Sequence, residues 1–299
     1  MLTRQTVEHH SSARTVSART HLARRRRVPY ETKKQTPHWF RTPGRAVHPF
    51  KRVLSSSTAS NDCARPNRRF IRILREASKG AMDNIDNVRG TAVLDSPSLN
   101  KGTGFTFTQR ERLGLRGLLP RKYETVEIQV KRAWTQLCAF EEDMNRYIFL
   151  ENLHMQNERL FYRVLVEHLE DLMPIVYTPT VGEACINFDA LYRNRCGMYF
   201  SRLDSGVMRR MLDNWPSPET EIIVVTDGGR VLGLGDLGTN GMAISVGKVS
   251  LYVASGGFDP AKSMPVCLDL GTSNVALRAH DFYLGADEPR LTGDAHLAV

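Results

Sequence analysis

Apolar residues in the stretch 125–153 recur at helical spacing. Val130, Trp134, Leu137 and Phe140 fall three or four positions apart and would share one face of a helix. A second face of this kind follows in Leu160, Phe161, Val164, Leu165, Leu169 and Leu172, with Pro174 and Pro179 expected to break it. Ahead of both, Thr108-x-x-Glu111 has the spacing of a capping box and opens a helix that Pro120 closes. Order is expected from about residue 100, and the first half of the body reads as mostly helical. The period then changes. Residues 221–226 (EIIVVT) form a β-branched run, Asp227-Gly228-Gly229 is a turn signal, and residues 230–234 can return as a partner strand. Residues 242–255 read as a helix ended by Gly256-Gly257, and 264–270 (MPVCLDL) as a buried strand. Strand, helix and strand in succession predict an α/β layer. The fold class is therefore mixed α/β. A helical N-terminal domain (100–174) is followed by the first part of an α/β domain (175–299), whose layer reads as unfinished at the C-terminus. No internal repeats are present.

Charge divides the chain differently. Residues 1–80 hold 19 Lys and Arg against 4 acidic residues, whereas the rest holds 22 against 28, so the net +9 belongs to the leader alone. The leader is rich in Arg, Ser, Thr and His, and its large apolar side chains are sparse. Such a segment buries too little apolar surface to offset its ordering entropy, and a disordered tail is expected. Its composition is that of an organelle transit peptide, with a mitochondrial address favoured. Arg52-Val53-Leu54-Ser55 has the look of a matrix-protease cut with Arg three positions ahead. Arg24 to Arg27 could instead form a nuclear or nucleic-acid patch. A net-acidic body argues against nucleic acid as the partner of the globular part. No apolar run approaches the roughly 20 residues of a membrane span, so the chain reads as soluble with no membrane partner. Five scattered cysteines (63, 138, 185, 196 and 267) without a CxxC pair predict neither a disulfide framework nor a zinc site.

Candidate chemistry gathers in two glycine-containing blocks, YTPTVGE from Tyr177 and VTDGGRVLGLGDLGTNGMAISVGK up to Lys248. Arg230, after a tight turn, is either an exposed turn arginine or a clamp that grips a carboxylate through two parallel bonds. Lys248, within an apolar helical stretch, is either a snorkelling lysine or a buried base. Tyr177 is either a core residue with a satisfied hydroxyl or a general acid. GLGDLG satisfies G-x-G-x-x-G after a strand, but the nearest strand-end acid, Asp269, stands 31 residues past Gly238 rather than about 20. Asp287-Glu288 reads as a surface turn.

Several blocks in one order carry a resemblance: FTFTQRERLGLRGLLP, NERLFYR, LMPIVYTPTVGEA, DNWP, VTDGGRVLGLGDLG, VGKVSLY and LDLGTSN. From about residue 105 to 298 the chain resembles the N-terminal portion of the malic enzymes. The resemblance implies oxidative decarboxylation of malate to pyruvate and carbon dioxide, with reduction of NAD or NADP and a divalent metal, Mn or Mg. By motif it implies that Lys248 takes the C2-hydroxyl proton, that Tyr177 protonates the enolpyruvate carbon, and that Arg230 binds a malate carboxylate. It places GLGDLG in malate-side structure. The family's metal ligands and Rossmann-like domain lie downstream of residue 299, so no metal ligand or cofactor residue is assigned and the chain alone is expected to be inactive. A homo-oligomer is implied for the complete protein. Arg132 matches one of two fumarate-binding arginines of mitochondrial members, and Gln156 replaces the other, which implies little fumarate response. The competing expectation is a non-catalytic dicarboxylate-binding or subunit-association protein of malic-enzyme type.

Overall fold

The structure, a computed structural model, describes residues 88–297, all within one compact unit. The basic leader, its cleavage pattern and Cys63 lie outside the described residues. The mixed α/β fold is as expected. Helices α1 (Phe107–Arg112), α2 (Val126–Cys138), α3 (Asp143–Gln156), α4 (Glu158–Glu167), α5 (Leu169–Val176) and α6 (Thr180–Ile186) precede β1 (Met198–Ser201), α7 (Met208–Leu212), β2 (Ile222–Thr226), α8 (Met242–Gly256) and β3 (Ser263–Asp269). The three strands are parallel in the order β1-β3-β2, with Met198 beside Val266 and Val225 beside Val266 on the other side.

The helical stretch differs from its sequence reading in several places. A one-turn helix, Thr91–Leu94, already precedes residue 100, and its Val93 packs with Phe105, Leu113 and Leu115. The capping box is made by Thr106 and Gln109, not by Thr108 and Glu111. Gln109 N donates to Thr106 Oγ1 at 3.3 Å and Thr106 N donates to Gln109 Oε1 at 3.1 Å. Both pairs have the required spacing, and only packing selects the one that buries Phe105. The helix stops at Arg112, before Gly114 at φ 68, rather than running to Pro120. Arg110 is buried, and its guanidinium donates to the carbonyls of Thr103, Phe105, Pro120, Arg121 and Lys122, tying this loop together. The 125–153 pattern is two helices, α2 and α3, broken across the acidic 139–142 segment. Pro174 does not break α5; it lies inside it, and the helix ends at Val176. A helix-interior proline costs about 3 kcal/mol. Full burial of Leu172, Ile175 and Val176, at about 1.5–3 kcal/mol each, exceeds that cost.

The sheet also departs from expectation at one point. Residues 230–234 do not return as a strand. Gly228, Gly233, Gly235 and Gly238 adopt φ of 63, 77, 83 and 51, which no extended segment can carry. The chain instead curls into a compact turn in which Val231 N donates to Gly235 O at 2.8 Å. The partner of β2 is β3, reached through α8. β1, four residues without an alternating pattern, has no counterpart in the sequence reading. β3 is buried on both faces: Cys267 packs with Met242 and Val246 of α8, and Met264 and Val266 pack with Phe200, Met208, Met211 and Trp215.

One core joins helices and sheet. Leu150, Phe161, Val164, Leu165 and Leu172 have no exposure, and Val249, Val253 and Ala254 of α8 enter the same cluster, with Val224 of β2 against it. α8 comes close to the end of α5 at Gly247, where a Cβ would stand 2.5 Å from Val176 O and 3.3 Å from Tyr177 Cδ2. Alanine at a helix-interior glycine ordinarily stabilises by about 0.5–1 kcal/mol. Forcing atoms into a packed backbone contact costs about 1–3 kcal/mol. Gly247→Ala is therefore expected to give a net loss of about 1 kcal/mol in urea denaturation. A raised midpoint would show that α8 does not pack this tightly.

Candidate functional site

Tyr177 follows the last residue of α5. Its backbone N–H donates to Met173 O at 3.0 Å, and its carbonyl accepts from Val181 N at 2.8 Å, so it links α5 to α6. The ring is half-buried in a cluster built from Val181 and Cys185 of α6, Val231, Leu234 and Leu237 of the glycine-rich loop, and Ala243 and Ile244 of α8. One helical turn beyond Ile244, Lys248 reaches the same ring. Its Nζ lies 4.0 Å from the Tyr177 ring centroid, where the π face attracts an ammonium. Arg230 is the sequence neighbour of Val231 in this cluster, and its own side chain is exposed.

The structure thus places Tyr177 and Lys248 in direct contact and anchors the turn that carries Arg230 in the same cluster. Among the described residues, neither the Tyr177 hydroxyl, the Lys248 amine nor the Arg230 guanidinium makes a hydrogen bond or ion pair. This differs from a core tyrosine with a satisfied hydroxyl. Lys248 is half-buried in α8, short of the full burial its apolar surroundings predict. The 227–230 turn lies at the carboxyl end of β2, the end of a parallel sheet where ligands ordinarily bind. Two hollows of about 300 and 310 Å³ lie elsewhere, and the three side chains line neither.

The residues that fix this turn are ones the motifs do not mark as functional. Asp227 and Asp236 both face Arg290. Arg290 Nε donates to Asp236 Oδ2 at 2.9 Å and its Nη2 to Asp236 Oδ1 at 2.8 Å. Nη2 also donates to Asp227 O at 2.9 Å, and Nη1 to Asp227 Oδ2 at 3.2 Å. Asp227-Gly-Gly was legible as a turn, and Asp236 as part of GLGDLG. Nothing around Arg290 marks it as their partner. Asp236 also accepts from Ser273 N and Gly238 N. Burial pushes its carboxyl up, but the Arg290 guanidinium and these N–H donors outweigh that and bring it from 3.8 to about 2. Glu288 pairs with Arg202, and Asp287 is exposed, in keeping with a surface turn.

Among the described residues, no group of three or more His, Cys, Asp or Glu side chains is placed to hold a metal ion. In GLGDLG the approach to Gly238 is covered: a Cβ there would stand 2.2 Å from the Tyr283 hydroxyl, which accepts from Thr239 N at 3.3 Å. Cys138, Cys185, Cys196 and Cys267 are free thiols. No helix is long and apolar enough to cross a membrane among the described residues.

This architecture and side-chain grouping define a mixed α/β domain with a Lys–Tyr pair beside a glycine-rich turn. The profile of the malic enzyme N-terminal domain matches residues 154–299. The chain is 52% identical over 199 residues to an NADP-dependent malic enzyme of Dictyostelium discoideum, covering 67% of this chain and 37% of that one. It is 44% identical over 221 residues to the mitochondrial NAD-dependent malic enzyme 2 of Arabidopsis thaliana, covering 71% and 36%. With the NAD-dependent malic enzyme of Aeromonas hydrophila subsp. hydrophila it shares 47% identity over 207 residues, covering 69% and 37%. The chain belongs to the malic enzyme family, and it spans a little over a third of the length of these curated relatives.

The Asp236 shift fixes a pH dependence. A carboxylate whose folded pKa is depressed contributes stability above its unfolded pKa, and that stability is lost as pH falls through the folded value. Between pH 3.8 and about 2 the protein is expected to lose stability through Asp236. Asp236→Asn should be less stable at neutral pH and show a shallower decline across that window in urea denaturation at stepped pH.

Proposed function

We propose that the described residues form the malate-binding part of a malic enzyme. The whole protein would convert malate to pyruvate and carbon dioxide with reduction of NAD or NADP. The observation that carries this reading is the Lys248–Tyr177 pair, with Nζ 4.0 Å from the ring centroid, beside a cluster that includes Val231, the neighbour of Arg230; among the described residues none of the three polar groups makes a hydrogen bond or ion pair. The relatives named above are NAD- or NADP-dependent malic enzymes, which supports a nicotinamide cofactor.

The chemistry needs three things of these side chains. A dicarboxylic acid needs a cation at a carboxylate, and the exposed Arg230 guanidinium supplies one as a planar fork. Oxidation at C2 needs the hydroxyl proton removed, a task for the Lys248 amine. Loss of carbon dioxide leaves the enol of pyruvate, whose C3 must gain a proton, a task for the Tyr177 hydroxyl. The Lys248 amine lies over the face of the Tyr177 ring without a hydrogen bond to its hydroxyl, so each group is assigned its own step. No three metal-ligating side chains come together among the described residues, and no step is assigned to the divalent ion that activity in this family implies. Assembly as a homo-oligomer belongs to the same reading.

Titration calorimetry of the 299-residue chain with L-malate is expected to show binding that Arg230→Gln weakens about tenfold or more, because a charge-assisted hydrogen bond contributes about 1.5–3 kcal/mol. Absence of binding by the unaltered chain would overturn the proposal. Malate-dependent formation of NADH or NADPH with Mn²⁺ present separates two forms of it. Turnover abolished in Lys248→Ala supports catalysis, and binding without turnover supports a dicarboxylate-binding role.

The basic leader carries a proposal of its own, delivery to the mitochondrial matrix. Named relatives from Arabidopsis thaliana, Solanum tuberosum and Amaranthus hypochondriacus are mitochondrial, and one from Neocallimastix frontalis is hydrogenosomal. A fluorescent protein fused behind residues 1–80 is expected to enter mitochondria, and retention in the cytosol would sink this proposal.

A further inference from the structure

Two arginines serve the glycine-rich turn, and their surroundings are opposite. Arg290 is largely buried, its side chain 11% exposed, with Nε, Nη1 and Nη2 all donating to Asp227 or Asp236. Arg230 is exposed and has no partner among the described residues. The Arg290 guanidinium lies directly against the residue before Arg230: a Cβ on Gly229 would stand 2.7 Å from its Cζ. On the other side, Leu237 N donates to Gly228 O at 2.9 Å, and a Cβ on Gly228 would meet Gly238 O at 1.8 Å. The 227–230 turn is therefore clamped between Arg290 and the 236–238 segment.

The clamp has an electrostatic consequence as well. Asp227 and Asp236 belong to the same loop as Arg230. They are the carboxylates nearest to it in sequence, and an arginine captured by its own loop cannot hold a ligand. Arg290 satisfies both acids with a planar fork that a lysine cannot reproduce.

We propose that Arg290 is a positioning residue for substrate recognition, fixing the 227–230 turn and occupying Asp227 and Asp236 so that Arg230 stays free for a substrate carboxylate. This rests on the reading of Arg230 as the carboxylate-binding side chain. It makes Arg290 a determinant of affinity for dicarboxylic acids without contact to them.

Two measurements on the full chain test it. Amide hydrogen exchange followed residue by residue is expected to show faster exchange at Val231 and Leu237 in Arg290→Gln, with β3 and α8 still protected. Unchanged protection at both amides overturns the proposal. Calorimetry with L-malate is expected to show affinity reduced about tenfold in Arg290→Gln and partly recovered in Arg290→Lys, which retains the charge without the fork. Adding Asp227→Asn and Asp236→Asn to Arg290→Gln should also recover affinity, because the competing carboxylates are gone. A merely structural role predicts further loss in that triple variant, and such a loss overturns the proposal. Should Arg290→Gln fail to fold, Arg290→Lys carries both measurements. If the unaltered chain binds no malate, the reading of Arg230 fails, and the exchange measurement still decides whether Arg290 holds the turn.

Discussion

The arrangement of the site depends on how closely α8 lies against the end of α5. At Gly247 the helix meets the Val176 carbonyl so nearly that a single added carbon would stand 2.5 Å from it. A glycine in the middle of a helix is intrinsically unfavourable, and the helix tolerates it here because packing recovers more than propensity loses. The approach seats Val249, Val253 and Ala254 among the helices of the first half, with Val224 of the sheet against the same cluster. It also sets Lys248, the next residue, over the Tyr177 ring. A core contact and a candidate catalytic contact are consequences of one backbone distance.

The glycine-rich loop solves a different problem. It must leave the sheet after β2, cross to the start of α8 and present a side chain on the way. Positive φ at Gly228 and Gly238 lets its two limbs touch backbone to backbone, which side chains would forbid. Two aspartates then bring negative charge into a half-buried place, and Arg290 neutralises it from a distant part of the sequence. The loop is thereby rigid where it is packed and open at Arg230. Preorganisation of this kind lowers the ordering cost that a ligand would otherwise meet.

Two carboxyls in the helices act in the opposite sense to Asp236, and a histidine between them acts in the same sense. Burial raises Glu151 and Glu158 to about 7, so their contribution to stability is present below the ordinary 4.5 and lost as pH rises through 7. Burial lowers His154 from 6.5 to about 4, so it is neutral at pH 7, and stability is lost through it as pH falls across that interval. Near neutrality these helices therefore hold an uncharged imidazole and two carboxyls in the middle of their titration, while Asp236 of the glycine-rich loop is charged and paired with Arg290.

Elements whose signal is local were legible in the sequence: β2 in its β-branched run, α8 in its apolar stretch ended by Gly257, β3 in its buried pattern, and the paired faces of α2 and α4. The motif blocks also named Tyr177, Arg230 and Lys248, and they alone suggested what these might do. Where a local signal was ambiguous, packing chose. It took Thr106 over Thr108, kept Pro174 inside a helix, and turned residues 230–234 into a tight loop rather than a strand. β1 was invisible, because four residues hold no period and its hydrogen bonds go to a strand far along the chain. The Lys248–Tyr177 contact and the Arg290 clamp were likewise beyond the sequence. Propensity and periodicity act over a few neighbouring residues, whereas these contacts join distant segments and exist only once α8 and the loop are packed in place.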